Sequence, residues 1–183
     1  MGKTAFTAVA AFLLGAGVVL GALYLSRNNT ESTTKTYGDW KLRCPPRNDA
    51  KAECALTQDI IQGGTGATLV HLQLVRKDNI QRLLIVVPHG VQLKPGLGVV
   101  IGNAPLRVLK YETCDGVGCL AYLPLDRTTL DTLNGAESGR VVVVGRDGKD
   151  VAFPCSLHGF GKGLSAAGWE TYKRNAWLGR LLP

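Results

Sequence analysis

The sequence is poor in aromatic and charged side chains, and it lacks the motifs of the common nucleotide-binding and hydrolytic enzymes. Aromatic residues make up 7% and charged residues 19% of its 183 residues. It contains no Gly-x-Ser-x-Gly elbow, no Cys-x-x-Cys pair and no phosphate-binding glycine loop followed by Lys and Ser or Thr. The net charge of +7 lies mostly at the two ends, since residues 37–161 hold 14 Lys and Arg against 12 Asp and Glu. These absences argue against a dinucleotide enzyme, a serine hydrolase, a dithiol oxidoreductase and a general nucleic-acid-binding protein.

One long apolar run lies at the N-terminus. Residues 4–25 carry no charge, and 22 residues of helix reach about 33 Å, enough to cross a hydrocarbon core of about 30 Å. We expect residues 1–25 to be an uncleaved transmembrane signal anchor; the alternative is a cleaved signal peptide, whose apolar region is usually shorter, roughly 7–15 residues. Lys3 favours an N-terminus on the inside. Both alternatives predict an exported domain, and the anchor predicts a single-pass protein of the cytoplasmic (inner) membrane with its main domain in the periplasm.

Small residues recur four apart within this run. Ala11 and Gly15 form one small-xxx-small pair and Gly17 and Gly21 form a second, a spacing that lets membrane helices approach closely. These four positions are candidate contacts with another membrane helix; the alternative is that Ala and Gly are merely common in apolar segments. The lipid bilayer is an expected partner of the anchored chain.

The rest of the chain has the pattern of short strands. In 40–44 apolar and polar residues alternate, while 83–87 is apolar on both faces, as in a central strand. Asp126 precedes a segment that predicts one short capped helix. Eight or nine strands separated by turn residues favour an all-β fold, an antiparallel β-sandwich.

Composition divides the chain into four segments. The signal anchor at 1–25 is followed by residues 26–36, which are polar, lack an apolar period and predict a linker. Residues 37–160 form the predicted sandwich domain, and residues 161–183 a short, basic and aromatic helical tail.

Five cysteines in an exported chain indicate a disulfide framework with one thiol left over. Cys44 and Cys54 fall on the apolar faces of two strands joined by a turn-rich loop, so they can lie across from each other at disulfide distance. Cys114 and Cys119 flank a four-residue turn that contains two glycines. A four-cysteine zinc site is the alternative, although zinc ligands are typically about two to four residues apart. Cys155 is expected either as a buried free thiol or as half of an intermolecular disulfide.

Residue types that carry catalysis are present, but not in catalytic spacing. His71, His89 and His158 form no metal-binding pattern, and His71 lies on the polar face of its strand, where a solvated imidazole is the simplest interpretation. Ser156 lacks a nucleophile elbow. We therefore expect no enzymatic activity, no metal ion or other cofactor, no small-molecule substrate and no nucleic-acid partner.

A series of short motifs runs through the predicted sandwich domain. They are Tyr-Gly-Asp-Trp-Lys-Leu-Arg-Cys at 37–44, Glu-Cys at 53–54, Val-Val-Pro-His-Gly-Val-Gln-Leu at 86–93, Pro-Gly at 95–96, Gly-Cys-Leu-Ala at 118–121, Leu-Pro-Leu-Asp at 123–126 and Ser-Leu-His-Gly-Phe at 156–160. In content and order the series resembles the invasion-associated locus B family of bacterial envelope proteins. The resemblance implies an exported β-sandwich of immunoglobulin-like type and, for the family's namesake, an association with bacterial invasion of host cells. It implies no known reaction and no catalytic residues.

The C-terminal tail combines aromatic and basic residues, as found at membrane interfaces and in partner grooves. Its candidate contacts for a partner or interface are Trp169, Tyr172, Lys173, Arg174 and Trp177. The alternative is that Trp169 and Tyr172 cap the sandwich.

Taken together, the segments predict a non-catalytic, membrane-anchored periplasmic protein-interaction domain with an envelope or host-interaction role. The alternative is an accessory subunit of an integral membrane complex, for example a respiratory one, docked through the transmembrane helix and the tail. Both hypotheses require protein partners in the membrane or envelope.

Overall fold

The computed structural model describes residues 31–46, 53–77 and 80–175, which form two antiparallel sheets and two helices. The larger sheet has the order β1-β2-β3-β4-β5-β9-β8 and consists of β1 (Thr33–Tyr37), β2 (Trp40–Cys44), β3 (Ala55–Ile61), β4 (Thr68–Lys77), β5 (Ile80–Val87), β8 (Tyr111–Cys114) and β9 (Cys119–Pro124). The smaller sheet has the order β11-β10-β6-β7 and consists of β6 (Leu97–Ile101), β7 (Arg107–Leu109), β10 (Ser138–Val144) and β11 (Asp150–Ser156). The helices are α1 (Arg127–Asn134) and α2 (Phe160–Asn175). The prediction of an all-β antiparallel fold is confirmed.

Alternating burial along the strands brings the two sheets face to face. In β2, Trp40 and Leu42 are buried while Lys41 and Arg43 are exposed, as the sequence pattern predicts. Apolar side chains from both sheets share one core, with Leu72 and Ile85 from the larger sheet and Leu97, Val99 and Val141 from the smaller. Each fully buried side chain of this kind contributes about 1.5–3 kcal/mol to folding. The architecture is therefore a sandwich of two sheets.

The strand order differs from the immunoglobulin type that the resemblance implies. Strands β1 to β5 follow one another as a meander within one sheet, whereas an immunoglobulin sandwich divides its consecutive strands between two sheets. The physical reason is that strands joined by short connections pair with their neighbours in sequence.

Helix α2 covers the larger sheet near its β1 edge. It contacts β1, β2 and β3, and its residues Phe160 and Ala167 are buried. The Phe160 ring meets the Trp40 ring edge-on, with the ring centroids 5.0 Å apart. Gly163 permits the close approach, because a Cβ there would lie 2.7 Å from Leu56 Cδ1. The packed body therefore continues past residue 160, where the sandwich domain was predicted to end.

The sheet also begins earlier than expected. Strand β1 starts at Thr33, inside the segment predicted as a linker, because it pairs along its whole length with β2, from Thr33 opposite Cys44 to Tyr37 opposite Trp40. The predicted membrane span at 4–25 lies outside the described residues. Neither of the two helices in the described part of the chain is long and apolar enough to cross a membrane.

Helix α1 begins as predicted, with Asp126 as its N-cap. The Asp126 side-chain Oδ1 accepts a hydrogen bond of 2.7 Å from the backbone N–H of Thr129. This bond favours the charged carboxylate and lowers its pKa below the ordinary value. The cap satisfies one of the backbone donors that a helix leaves unpaired at its N-terminus.

Candidate functional site

The first and last of the sequence motifs meet where β2 begins and β11 ends. The backbone N–H of Asp39 donates to the carbonyl of His158 at 3.2 Å, and the Trp40 ring Nε1 donates to the carbonyl of Ser156 at 3.1 Å. Two glycines permit this approach, since Gly38 and Gly159 both have positive φ values and a side chain on either would overlap the opposite segment. This contact region, here named the β2–β11 junction, consists of Asp39, Trp40, Gln58, Ser156 and His158.

Gln58 lies at the centre of the β2–β11 junction. Its amide Nε2 donates to the carbonyl oxygens of Asp39 at 3.3 Å and Ser156 at 3.0 Å, and its Oε1 accepts from the Ser156 backbone N–H at 3.2 Å. The side chain therefore bridges the larger sheet to the edge strand of the smaller one. The only sign of this role in the sequence is a polar residue between Leu56 and Ile60 on an apolar strand face.

The junction contains Ser, His and Asp, the three residue types of a hydrolytic triad. The Ser156 hydroxyl donates to Asp39 Oδ2 at 2.6 Å and accepts from the His158 backbone N–H at 3.1 Å. The His158 ring Nδ1 lies 4.0 Å from Asp39 Oδ2. In a triad the imidazole takes the serine proton and the carboxylate orients the imidazole. Here the carboxylate binds the hydroxyl directly, so the arrangement ties two segments together rather than activating a nucleophile.

Two further histidines have polar partners: His71 lies on the outer face of β4 in the larger sheet, and His89 lies in the loop that follows β5. His71 Nδ1 lies 2.6 Å from Asp59 Oδ1 and its Nε2 lies 3.3 Å from Gln73 Oε1. His89 Nε2 lies 2.6 Å from the carbonyl of Asp115, in the hairpin between Cys114 and Cys119. His71 is therefore on the predicted face, but it is paired with a carboxylate rather than merely solvated.

The polar residues of the junction and those around His71 and His89 line surface concavities that are open to solvent. One of about 470 Å³ lies beside the β2–β11 junction and is lined by Asp39, Lys41 and Cys155, among others. A second, of about 350 Å³, is lined in part by Asp59, His71 and His89. Within residues 31–46, 53–77 and 80–175, no three His, Cys, Asp or Glu side chains converge in a way that would hold a metal ion.

The structure forms both predicted disulfides. Cys44 and Cys54 are bonded with a Cα–Cα distance of 4.2 Å, and Cys114 and Cys119 are bonded with a Cα–Cα distance of 4.0 Å across β8 and β9. Because these four sulfurs are bonded to one another in pairs, the alternative of a four-cysteine zinc site is wrong. The bridges close loops of about ten and five residues, for which chain entropy predicts roughly 2–3 kcal/mol each.

Cys155 carries the remaining thiol. It lies on β11 opposite Gly139, where the missing side chain leaves room for its sulfur. Burial raises the pKa of the thiol to about 11. A thiol with this pKa is almost entirely protonated at neutral pH and is a poor nucleophile.

The remaining candidate residues are described only in part. Trp169 lies on α2 with 59% of its surface exposed. For Tyr172, Lys173 and Arg174 the structure describes the backbone of α2. Trp177 and the four small residues of the predicted membrane helix, Ala11, Gly15, Gly17 and Gly21, lie outside the described residues.

The sequence of the chain is similar to one family of known proteins. The family model described as Invasion associated locus B (IalB) protein matches residues 40–168. Two curated relatives are invasion protein B homologues of Brucella abortus, from strain 2308 and from biovar 1 strain 9-941. Each is 29% identical over 133 residues, which is 71% of this chain and 76% of the relative.

A solved structure supports the fold. The crystal structure of invasion associated protein b from Bartonella henselae superposes with a TM-score of 0.67 at 16% identity, over 77% of this chain and 99% of that one. The family match includes β2, all later strands, α1 and most of α2, well over half of the chain. The chain therefore belongs to the invasion associated locus B (IalB) family.

Proposed function

We propose that the chain is a non-catalytic, membrane-anchored periplasmic domain that binds other proteins at the bacterial envelope and has a role in host interaction. The observation that carries the proposal is the β2–β11 junction, in which the polar residues Asp39 and Ser156 bond to each other and to backbone groups. These hydrogen bonds stabilise the fold, and we expect the outer surfaces of the domain to bind other proteins. The names of the Brucella relatives, invasion protein B homologues, support the host-interaction role.

Two features support an exported and anchored domain. The disulfides Cys44–Cys54 and Cys114–Cys119 are of the kind that persists in oxidising compartments such as the bacterial periplasm. The uncharged run at 4–25 has the length of one membrane span. Anchor and disulfides together favour a single-pass inner-membrane protein with its body in the periplasm.

Protease accessibility tests this location. The full chain with a C-terminal epitope tag should stay in the membrane pellet after alkaline carbonate extraction, and its tagged domain should be digested in spheroplasts but not in intact cells. As a control, a variant with residues 1–25 replaced by a cleavable signal peptide should be released as a soluble periplasmic protein. Release of the full chain by carbonate, or protection of the tag in spheroplasts, would contradict the proposal.

Complementation tests the role at the envelope. Deleting the gene should lower adhesion to and uptake by cultured host cells, and the wild-type chain should restore both. A Ser156→Ala variant present at wild-type level should restore them equally, because the hydroxyl is proposed to serve folding and not turnover. Unchanged uptake after deletion would refute the host-interaction role, whereas a folded but inactive Ser156→Ala variant would point to catalysis.

An accessory role in an integral membrane complex is the second candidate. It is favoured by the exposed Trp169 on α2, which is followed in sequence by the basic and aromatic residues of the tail. Purification in mild detergent followed by mass spectrometry should then recover other membrane subunits in stoichiometric amounts. Trp169→Ala should lower that recovery while Val117→Ala, at an exposed hairpin tip, should not. Recovery of the chain without other subunits would count against this role.

A further inference from the structure

Two strands of the smaller sheet carry apolar residues on both faces. Strand β6 reads Leu-Gly-Val-Val-Ile, and β10 ends in four consecutive valines, Val141 to Val144. An antiparallel sheet with one face in water normally alternates apolar and polar residues, whereas apolar residues on both faces are typical of strands covered on both sides. Val141 and Val143 are buried in the core, but Val142 and Val144 point to the outer face and are only half-buried. The outer face of the smaller sheet thus has the composition of an interface.

Strand register defines this face, which is here named the valine face. Its outward residues form three rows: Asp150 and Val144 in the first, Ala152, Val142, Gly98 and Val108 in the second, and Pro154, Arg140 and Val100 in the third, with Leu106 beside it. Leu106 and Val108 expose 55% and 60% of their surfaces. Contiguous apolar patches of this kind on a protein surface mark interaction sites.

The valine face carries two charged side chains, Arg140 and Asp150, in opposite outer rows. These rows are four residues apart along a strand, about 13 Å, so the two side chains do not reach each other within one chain. In the described part of the chain neither forms an ion pair. An arginine in an apolar surface is the type of residue that anchors interfaces when it meets a carboxylate.

We propose that the valine face binds the valine face of a second copy of this chain around a twofold axis along the middle row. Such an axis maps the first row onto the third, so it brings Arg140 of each copy to the row that holds Asp150 of the other. Two symmetric ion pairs result, and Val142 lies opposite Val142 of the second copy. Facing sheets pack about 10 Å apart with their strands within about 30° of each other. This self-complementarity of charge selects a second copy over an unrelated protein.

The size of the valine face sets the expected strength of the dimer. Four strands about 4.8 Å apart and five residues of about 3.3 Å give a face of roughly 19 by 17 Å. This is smaller than the roughly 800 Å² per partner of a standard interface. The dimer should therefore be weak in dilute solution and form where chains are concentrated, as on a shared membrane. The inference concerns self-association; it rests on the proposed membrane anchor but does not depend on the role in host interaction.

Cross-linking of the full chain in its membrane tests the proposal. A Val142→Cys variant in a Cys155→Ser background should give a covalent dimer with a bifunctional maleimide that spans about 10 Å. The matched control is Gln73→Cys in the same background, which places a half-buried thiol on the outer face of the larger sheet and should remain monomeric. A Val142→Cys chain that cross-links to a different protein, or to none, would overturn the proposal.

Charge reversal tests the twofold arrangement itself. Arg140→Asp and Asp150→Arg each place like charges across the axis and should weaken dimerisation about tenfold. The double variant restores both pairs and should restore the cross-linked yield. Arg76→Asp, on β4 of the larger sheet, is the control reversal and should change nothing. Equal yields from all variants, or a double variant that folds by near-UV circular dichroism but stays monomeric, would refute the arrangement and leave the proposed envelope role untouched.

Discussion

Replacing Gln58 with Leu tests whether hydrogen bonds, and not only the apolar core, hold the two sheets together. Gln58 exposes 7% of its surface and its amide makes three hydrogen bonds, two of them with Ser156 on β11. Leu has a similar volume but no polar group. The substitution therefore removes the bridge between the sheets without opening a large cavity.

The magnitude follows from which groups lose their partners. The Ser156 carbonyl keeps the hydrogen bond from the Trp40 ring, but the Ser156 N–H and the Asp39 carbonyl lose their bonds to Gln58. Ser156 is half-buried, so its unpaired donor costs less than the penalty of about 1–3 kcal/mol for a fully buried one, and each lost hydrogen bond costs about 1 kcal/mol. Burial of the Leu side chain offsets part of this loss. We expect a net destabilisation of about 2 kcal/mol, which lowers Tm by roughly 6–10 °C for a domain of this size.

Thermal unfolding of the full chain, followed by circular dichroism in one mild detergent, measures this difference. The matched control is Gln81→Leu, a half-buried glutamine on β5 whose side chain makes no hydrogen bond to another described residue. Gln58→Glu keeps an acceptor for the Ser156 N–H but places a carboxylate beside two carbonyl oxygens, so it should destabilise the protein as well. If Gln58→Leu lowers Tm no more than Gln81→Leu does, the hydrogen bonds of Gln58 contribute nothing and the reasoning is refuted.

Three other perturbations have defined outcomes. Phe160→Ala removes the ring that packs on Trp40 and should cost about 3–5 kcal/mol in a denaturant titration; a loss no larger than that of the exposed Val117→Ala would mean that α2 does not anchor the core. Asp126→Asn removes a carboxylate whose pKa is lowered in the fold. The carboxylate stabilises the fold above the pKa that Asp126 has in the unfolded chain, and this stabilisation is lost as the pH falls through the pKa in the folded chain. The wild type should therefore be more stable than the variant at pH 7, and the difference in stability between the two should fade below about pH 4. A difference in stability that does not change with pH would contradict the cap. At pH 8, iodoacetamide should alkylate Cys155 about 100-fold more slowly than a free cysteine, because burial raises its pKa from 9.0 to about 11; rapid alkylation of the folded chain would place the thiol at the surface.

Features that depend on neighbouring residues were predictable. Cys44 and Cys54 flank one loop, and Cys114 and Cys119 flank another, so strand alternation and turn length sufficed to pair them. The cap at Asp126 likewise involves a residue only three positions away. In each case the two interacting residues lie within about ten positions of each other, and over this range the backbone geometry of turns and strands restricts which side chains can meet.

Features that join distant residues were not predictable. Residues 106–113 contain no Gly or Pro that would mark a break, but the chain changes sheets at Lys110, with β7 in the smaller sheet and β8 in the larger. Gln58 sits on an apolar strand face because its partner Ser156 arrives from 98 positions away. Residues 161–183 were predicted as a tail, with packing of Trp169 and Tyr172 on the sandwich as the alternative, and the sequence does not show that the space beside Leu56 at Gly163 lets α2 pack on the core.

The sequence by itself determined the family, the pairing of four cysteines and the apolar side of most strands, since motif order, turn length and residue alternation are local properties. Only the tertiary structure decided that the first and last motifs bind each other, and that outward-facing valines share one surface with Arg140 and Asp150. Sheet order and register decide both, and they minimise the free energy of the whole core rather than that of any one segment.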